Sequence, residues 1–356
     1  MDAPLSNRSL DGDLAEARSR YEANRPRSRA AHDAACEVMP GGNTRTVLHY
    51  GPFPMRIAKG QGAVITDLDG RSYLNMLGEY TAGVFGHSHP VIRRAVDRAL
   101  DGGVNLGAHN TFEAELARLV VARFPAIEKV RFTNSGTEAN LMALATARHI
   151  TGRRKILVFR GGYHGGLLHF AGGGIPINAP YEFVLAPYND IEGTRAVLRA
   201  AADELACVLV EAMMGSAGCI PADPAFLAML RSETAAAGAL LILDEVMTSR
   251  FGTAGAQGLL GLRPDLVTLG KWMRSVGFRW RWSGAGPRRS PAARSACRSW
   301  AVCSPSVPTA SCTTARSARC RPGPPTSGCF GTWRTSGSGS STPRAQRRSM
   351  IRACWA

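Results

Sequence analysis

Two charged residues follow apolar runs of the chain, where their chemistry would be strongest. Lys271 comes directly after the run 266–270, and Asp244 ends the run 240–243. A lysine past a buried strand is a competent amine nucleophile. A carboxylate at the edge of a buried sheet needs a cation or a donor to offset its desolvation, and a pyridinium N–H is one such donor. Taken singly, a solvated strand end or a helix N-cap explains either residue equally well.

A small polar loop at residues 133–140 reads Thr-Asn-Ser-Gly-Thr-Glu-Ala-Asn and opens into a predicted helix. The N–H groups of the helix start, with the hydroxyls of Ser135 and Thr137, could hold a phosphate, because a helix N-terminus attracts anions. A simple helix N-cap is the alternative. The loop has neither P-loop nor G-x-G-x-x-G spacing, so a nucleoside triphosphate or dinucleotide is not indicated.

Two further segments carry groups that could face a ligand. Residues 161–166 read Gly-Gly-Tyr-His-Gly-Gly, so that Tyr163 and His164 stand where a flat ring could approach the backbone closely. Glu211 follows the apolar run 208–210 and adds a second carboxylate at a strand end. Loop packing for the tyrosine and a cap for the glutamate are the alternatives.

The elements that must position these residues alternate between strand and helix. Apolar runs predict strands at 130–132, 156–159, 183–185, 208–210, 240–243 and 266–268, and helical periodicity predicts helices at 137–150, 191–204 and 224–237. This alternation predicts an α/β fold with a doubly wound, mostly parallel sheet. In such sheets ligands bind beyond the carboxyl ends of the strands. All four motifs would then lie at one edge, and together they favour a single site.

The N-terminal part has a different pattern. It predicts a helix over 11–24, a hairpin over 64–74 that turns at Asp69-Gly70, and helices over 91–100 and 112–124.

Four motifs in this order resemble the class III aminotransferases, which are fold-type I pyridoxal-phosphate enzymes. They are Asn-Ser-Gly-Thr-Glu-Ala at 134–139, Gly-Tyr-His-Gly at 162–165, Asp-Glu-Val at 244–246 and Leu-Gly-Lys at 269–271. The likeness runs from about Met39 to Met273 and points to the branch of glutamate-1-semialdehyde aminomutases and β-phenylalanine-type transaminases. The stretch 79–87 is more similar to the β-amino-acid side of that branch.

The resemblance implies pyridoxal 5'-phosphate as cofactor and a role for each matching residue. Lys271 would hold the cofactor as a Schiff base and then move a proton, and Asp244 would keep the pyridine nitrogen protonated. The other implied cofactor contacts are the phosphate ligands Ser135, Gly136 and Thr137, the ring contacts Tyr163, His164 and Val246, and Glu211 on the side of the ring hydroxyl. Arg45 is the candidate for the substrate carboxylate, because a guanidinium offers a two-pronged donor.

The implied activity is transfer of an amino group between an amino acid, with a β-amino acid favoured, and a 2-oxo acid. Glutamate-1-semialdehyde 2,1-aminomutase and an inactive, frameshifted homologue remain alternatives. The family also implies a homodimer. The small C-terminal domain expected after the lysine is not recognisable beyond residue 273, which predicts that this domain is absent or scrambled.

The charge is distributed unevenly along the 356 residues. The chain has 43 Lys+Arg and 27 Asp+Glu, a net charge of +16, yet residues 274–356 contain 15 Arg and no Lys, Asp or Glu. Residues 1–273 are therefore nearly neutral, with 28 basic and 27 acidic side chains. We predict a substrate-side segment at 1–61, a cofactor domain at 62–273 and an aberrant tail at 274–356.

Three hypotheses account for that tail: a nucleic-acid-binding arm, a disordered linker, or a GC-rich gene read in the wrong frame. The tail is rich in Arg, Ser, Pro, Gly, Cys and Trp together and contains no Leu or Tyr. Wrong-frame codons explain this combination best, since a functional RNA arm normally keeps some lysine. We therefore expect no nucleic-acid partner.

Nothing in the sequence indicates export, a membrane or a metal. Residues 1–36 mix acidic and basic side chains, and apolar runs such as 239–243 are too short to cross a bilayer. The cysteines at 36, 207 and 219 show no metal-site spacing, and the six cysteines of the tail are irregularly spaced. We expect a cytoplasmic protein without a metal site or membrane partner.

Overall fold

A computed structural model describes residues 9–44, 46–103 and 106–273 of the chain. Its α-helices are, in chain order, α1 (Leu10–Ala23), α2 (Pro26–Val38), the single turn α3 (Gly78–Thr81), α4 (Pro90–Asp101), α5 (Thr111–Arg123), α6 (Gly136–Thr151), α7 (Ile191–Ala200), α8 (Pro224–Ala237) and α9 (Gly255–Leu259). Its strands are β1 (Ile57–Gln61), β2 (Val64–Asp67), β3 (Ser72–Leu74), β4 (Lys155–Phe159), β5 (Glu182–Ala186), β6 (Leu205–Glu211), β7 (Met213–Met214), β8 (Ile220–Pro221), β9 (Leu240–Asp244) and β10 (Leu266–Thr268).

The central sheet has the order β10-β9-β6-β4-β5, and every neighbouring pair is parallel. This confirms the predicted α/β fold class. The seven residues of β6 are all buried, which is typical of a strand covered on both faces. One apolar cluster packs α7 and α8 against the sheet, and a second cluster packs α6 against it.

Local sequence explains why α6 and α8 form where they do. Ser135 is the N-cap of α6, and its hydroxyl oxygen accepts from the N–H of Glu138. Asp223 caps α8 in the same way and is followed by Pro224 at the first helical position. The buried stripe of α6 lies against the sheet and contains Ala139, Asn140, Ala143, Leu144 and Ala147.

The predicted hairpin at 64–74 is present as β2 and β3, which pair antiparallel from Val64–Leu74 to Thr66–Ser72. The turn between them contains Asp69-Gly70, as predicted. β1 pairs antiparallel with β2 and completes a separate three-stranded sheet. Sequence reasoning missed β1 because Ile57–Gln61 is mostly exposed and contains Lys59 and Gly60, so it lacks an apolar alternation.

One predicted strand is not formed among the described residues, and one predicted helix ends early. Val130 makes a single bridge, residues 131–133 have no strand assignment, and the side chains of Val130 and Phe132 pack with a cluster around Phe124. The helix predicted over 191–204 ends at Ala200, and Ala202–Glu204 is a short 3-10 turn that leads into β6.

Among the described residues, no helix is both long enough and apolar enough to cross a membrane.

Candidate active site

Three strands deliver polar side chains to one edge of the central sheet. Asp244 ends β9, where it is in register with Glu211 at the end of β6 and with Thr268 at the end of β10. Lys271 follows Thr268 by three residues. The sequence prediction that these strand ends come together therefore agrees with the register of the sheet.

The strongest interaction at this edge joins Asp244 to His164. The Nδ1 of His164 lies 2.7 Å from Oδ2 of Asp244, and both side chains are buried. Burial alone raises the pKa of Asp244, but hydrogen bonds from His164, Val246 and Asn140 outweigh it, so the pKa stays below its ordinary value. Burial likewise lowers the pKa of His164, and the carboxylates of Asp244 and Glu211 reverse the effect and raise it. Both pKa shifts therefore favour the charged forms of the pair.

Glu211 organises the loop that follows β4. Its Oε1 accepts from the N–H of Tyr163 at 3.0 Å, and its Oε2 accepts from the N–H of Gly215 at 3.2 Å. Burial raises the pKa of this carboxyl group. The Tyr163 ring is half-buried and lies edge-to-face with His169, with 5.2 Å between ring centroids. Glu211 therefore fixes the backbone that presents Tyr163 at the strand edge.

The start of α6 contacts the same loop. Gly165 has a φ of +120°, and a Cβ at this position would collide with Thr137. Only glycine adopts this conformation readily, so the turn after His164 can lie directly on the first turn of α6. Ser135 is exposed and serves as the N-cap, while its own proton remains available to an anion. The first N–H groups of a helix have no partner within the helix.

Val246 lies between two of the predicted segments. A Cβ on Gly136 would come within 3.0 Å of the Val246 side chain, and one on Gly270 would come within 3.1 Å. The start of α6 and the backbone before Lys271 therefore both reach Val246. Because Val246 follows Asp244 by two residues, this contact brings three of the four motifs to one place.

Lys271 is half-buried and has a φ of +53°, an uncommon value for a residue with a side chain. Its neighbour Trp272 donates from Nε1 to the hydroxyl of Ser249 at 3.0 Å. Arg123 lies over the Trp272 ring, with its Cζ 4.6 Å from the ring centroid. The segment that carries Lys271 is therefore held against the loop that follows β9. Arg45 lies outside the described residues.

Three buried polar residues of this region were not assigned roles from the sequence. Asn140 donates from Nδ2 to Oδ2 of Asp244 at 2.9 Å and to the carbonyl of His164 at 3.0 Å, and it accepts from the hydroxyl of Thr268 at 2.8 Å. Glu245 is fully buried and accepts from both N–H groups at the start of α9. The sequence could have indicated two of these residues, because each is polar among apolar neighbours: Asn140 on the buried face of α6, and Thr268 in the apolar strand β10.

A sequence profile of the class III aminotransferases matches residues 48–281, which is well over half of the chain. The chain belongs to the class III aminotransferase family. The match extends past the predicted boundary at residue 273.

Among characterised relatives, the chain is similar to a β-phenylalanine transaminase from Variovorax paradoxus, with 51% identity over 269 residues, 76% of this chain and 62% of the relative. It is 38% identical over 263 residues to a glutamate-1-semialdehyde 2,1-aminomutase from Heliobacterium modesticaldum, covering 69% of this chain and 60% of the relative. The chain therefore spans between 60% and 62% of the length of these two curated relatives.

Solved structures give the same picture. The crystal structure of a β-phenylalanine aminotransferase from Variovorax paradoxus matches with a TM-score of 0.75 and 47% identity, over 80% of this chain and 70% of that one. A transaminase with bound pyridoxal phosphate matches with a TM-score of 0.68 and 33% identity, over 79% of this chain and 74% of that one. The resemblance seen in the sequence is confirmed at the level of the family.

The side chains at the strand edge fit the cofactor of this family, pyridoxal 5'-phosphate. Asp244 is a buried carboxylate held in its charged form, which suits a protonated ring nitrogen. Gly165 leaves no room for a Cβ and Gly136 leaves only tight space for one, which suits a backbone that binds an anion at a helix start. Lys271 supplies a half-buried amine three residues after β10, the strand that pairs with the one that Asp244 ends.

Proposed function

We propose that this chain binds pyridoxal 5'-phosphate at the carboxyl edge of its parallel sheet and acts as an aminotransferase between an amino acid and a 2-oxo acid. Lys271 and Asp244 follow the ends of neighbouring parallel strands, and this placement carries the proposal. When bound, the cofactor supplies an electron sink for the carbon that loses a proton.

Different residues of the chain are proposed to bind the cofactor and to transfer the proton. Lys271 would hold the cofactor through Nζ and would carry the transferred proton on that atom. Asp244 would keep the ring nitrogen protonated, and a hydrogen bond of this charged type contributes about 1.5–3 kcal/mol. Ser135, Gly136 and Thr137 would bind the phosphate.

The remaining assignments orient the ring and the substrate. Tyr163 would stack on the ring, Val246 would pack against it, and Glu211 would support the side of the ring hydroxyl. His164 would act on the cofactor through Asp244, because the two buried side chains are hydrogen-bonded. Arg45 would bind the substrate carboxylate.

We propose a β-amino acid as the amino donor. The support is the 51% identity with the β-phenylalanine transaminase, against 38% with the aminomutase. Incubation with β-phenylalanine and 2-oxoglutarate should form glutamate slowly, whereas glutamate 1-semialdehyde should not be isomerised. Isomerisation without an amino acceptor would support the aminomutase instead.

The cofactor site is tested by reduction with borohydride. The purified chain should be yellow, and borohydride should fix the cofactor on Lys271, which peptide mass spectrometry identifies. A matched control is Lys271→Arg, which keeps the charge but should remain unlabelled. Label recovered on Lys155, or on no lysine at all, would contradict the proposal.

The organisation proposed for the whole protein is a homodimer in the cytoplasm, with a substrate-side segment at 1–61 and a cofactor domain at 62–273. Cys36, Cys207 and Cys219 are free thiols, which supports a reducing compartment.

A further inference from the structure

Asn140 connects four parts of the strand edge through one buried amide. It lies on the inner face of α6 with 1% of its surface exposed. Its Nδ2 donates to Oδ2 of Asp244 and to the carbonyl of His164, at 2.9 and 3.0 Å. Its Oδ1 accepts from the hydroxyl of Thr268 at 2.8 Å. These partners belong to β9, to the loop after β4 and to β10.

The surroundings allow only one orientation of this amide. The opposite orientation would place Oδ1 against a carboxylate and a carbonyl oxygen, neither of which can donate. Thr268 then has to donate, because an amide oxygen only accepts. The carboxylate and the carbonyl therefore set the orientation of the amide, and the Thr268 hydroxyl donates to the amide oxygen that this orientation turns toward it.

The donors around Asp244 are divided between its two oxygens. Oδ2 accepts from His164 at 2.7 Å and from Asn140 at 2.9 Å, whereas Oδ1 accepts from the N–H of Val246 at 2.9 Å. Two side-chain donors on one oxygen fix the carboxylate plane and leave Oδ1 with more capacity to accept. These bonds also favour the charged form of the carboxyl group.

We propose that Asn140 and Thr268 are positioning residues that fix the orientation of Asp244 so that its Oδ1 faces the ring nitrogen of the cofactor. The inference rests on the proposed cofactor site. Because Thr268 ends the strand that leads to Lys271, the same bonds set the amine-bearing segment relative to Asp244. Neither residue needs to touch the cofactor.

Four variants of the full chain test this role. Thr268→Val keeps the shape of the side chain but removes its hydroxyl, and Asn140→Leu removes the amide. Thr268→Ser keeps the hydroxyl and serves as the conservative rescue. Thr234→Val is the matched control, because Thr234 is equally buried and its hydroxyl bonds only within α8, to the carbonyls of Leu230 and Arg231.

Two measurements, one on the apoprotein and one with added cofactor, test the hydrogen bonds of Asn140 with Asp244, His164 and Thr268. In apoprotein labelled with ¹⁵N-histidine, the imidazole titration of His164 reports the charge and contacts of Asp244, and a His164→Asn sample assigns its signal. In the second measurement, pyridoxal 5'-phosphate is titrated into each apoprotein. We expect Thr268→Val and Asn140→Leu to shift the His164 titration and to weaken cofactor binding at least about tenfold, which is about 1.4 kcal/mol. Thr268→Ser and Thr234→Val should match the parent chain.

The outcomes separate this inference from the proposed function. Unchanged His164 titration in Thr268→Val and Asn140→Leu would overturn the positioning role. Equal effects of Thr234→Val and Thr268→Val would also overturn it, because general loss of stability would then explain both. A parent chain that binds no cofactor would overturn the proposed function, and the His164 titration would still decide whether Asn140 and Thr268 position Asp244.

Discussion

Asp244 stays charged in a place where an isolated carboxylate would not. It is 5% exposed and relies on three donors: His164, Asn140 and the backbone of Val246. A buried ion pair stabilises the folded protein only while both partners are charged, because loss of one charge leaves the other buried without a partner. The His164–Asp244 pair therefore makes the stability of the domain depend on pH on both sides of neutrality.

The variant His164→Asn should remove the alkaline part of that dependence. The pKa of His164 is raised in the folded chain, so its contribution is complete below the unfolded pKa and is lost as the pH rises through the folded pKa. The pKa of Asp244 is lowered, so its contribution is lost as the pH falls through the folded value. Urea unfolding of the full chain from about pH 2 to about pH 9 spans both limbs.

His169→Asn is a control, because the pKa of His169 is shifted in the direction opposite to that of His164. Burial lowers the pKa of His169, so its contribution is present above the unfolded pKa and is lost as the pH falls. The variant should therefore lose part of the acid limb and keep the alkaline one. An alkaline limb that survives in His164→Asn would show that the ion pair does not determine it.

At the scale of single residues, the sequence predicts the charged groups better than the neutral polar groups that are hydrogen-bonded around them. Asp244 and Lys271 stand out because a charge after an apolar run is conspicuous. Asn140 and Thr268 are neutral, and their partners lie 104 and 128 residues away along the chain. Such pairings depend on how α6 packs on the sheet, which local patterns do not specify.

Among the elements, α9 depends on a single buried carboxylate. Glu245 accepts from the N–H groups of Ala256 and Gln257, at 2.7 and 3.1 Å, and from the Gln257 side chain at 2.8 Å. Glu245→Ala would leave these buried donors without an acceptor. We expect the free energy of unfolding to fall by about 1–3 kcal/mol, measured by urea denaturation.

Glu204→Ala is the matched comparison for that measurement. Glu204 is exposed and pairs only with Lys155 at the surface, where ion pairs contribute little. A similar loss of stability in both variants would refute the special role of Glu245.

The contact between α6 and the loop after β4 predicts a second effect. Gly165→Ala should strain the backbone at a φ of +120° and displace Thr137. Such strain costs about 1–3 kcal/mol, and we expect weaker binding of pyridoxal 5'-phosphate in a fluorescence titration. In the neighbouring Gly166→Ala, the added Cβ meets no atom within 4 Å, so binding should stay unchanged. Equal binding by both variants would exclude a role for this contact.

Elements were predictable where the pattern was long and strongly apolar. The predicted helix 224–237 has the observed bounds of α8, and the predicted strand 266–268 has those of β10. The second helix, α2, was missed because Pro26–Val38 buries only Ser28 and has no apolar stripe. The strand predicted at 130–132 rested on three residues, and so short an apolar pattern does not indicate whether the side chains pack in a sheet or against a helix.

At the scale of the whole molecule, the composition of residues 274–356 carries a prediction about the gene. Reading the DNA after codon 273 in its other two frames should recover a Gly-Gly-Gly turn followed by His-x-Gly-Thr-Phe. The family match ends at residue 281, beyond this codon. We also expect little transaminase turnover from the 356-residue chain.

High turnover from that chain, or uninterrupted Arg-rich codons in related genes, would contradict the frameshift hypothesis. RNA binding that weakens steeply with salt would instead favour a functional basic arm.

The order of the strands in the sheet has a consequence for biosynthesis. Among the described strands of the central sheet, β10 lies at one end and is the last to leave the ribosome, and its Thr268 hydroxyl donates to the amide oxygen of Asn140. Contacts so distant along the chain form slowly. In a nascent chain that has emerged only as far as β9, this strand can pair with β6 on one side, but its other edge and the oxygen of the Asn140 amide still lack their partners.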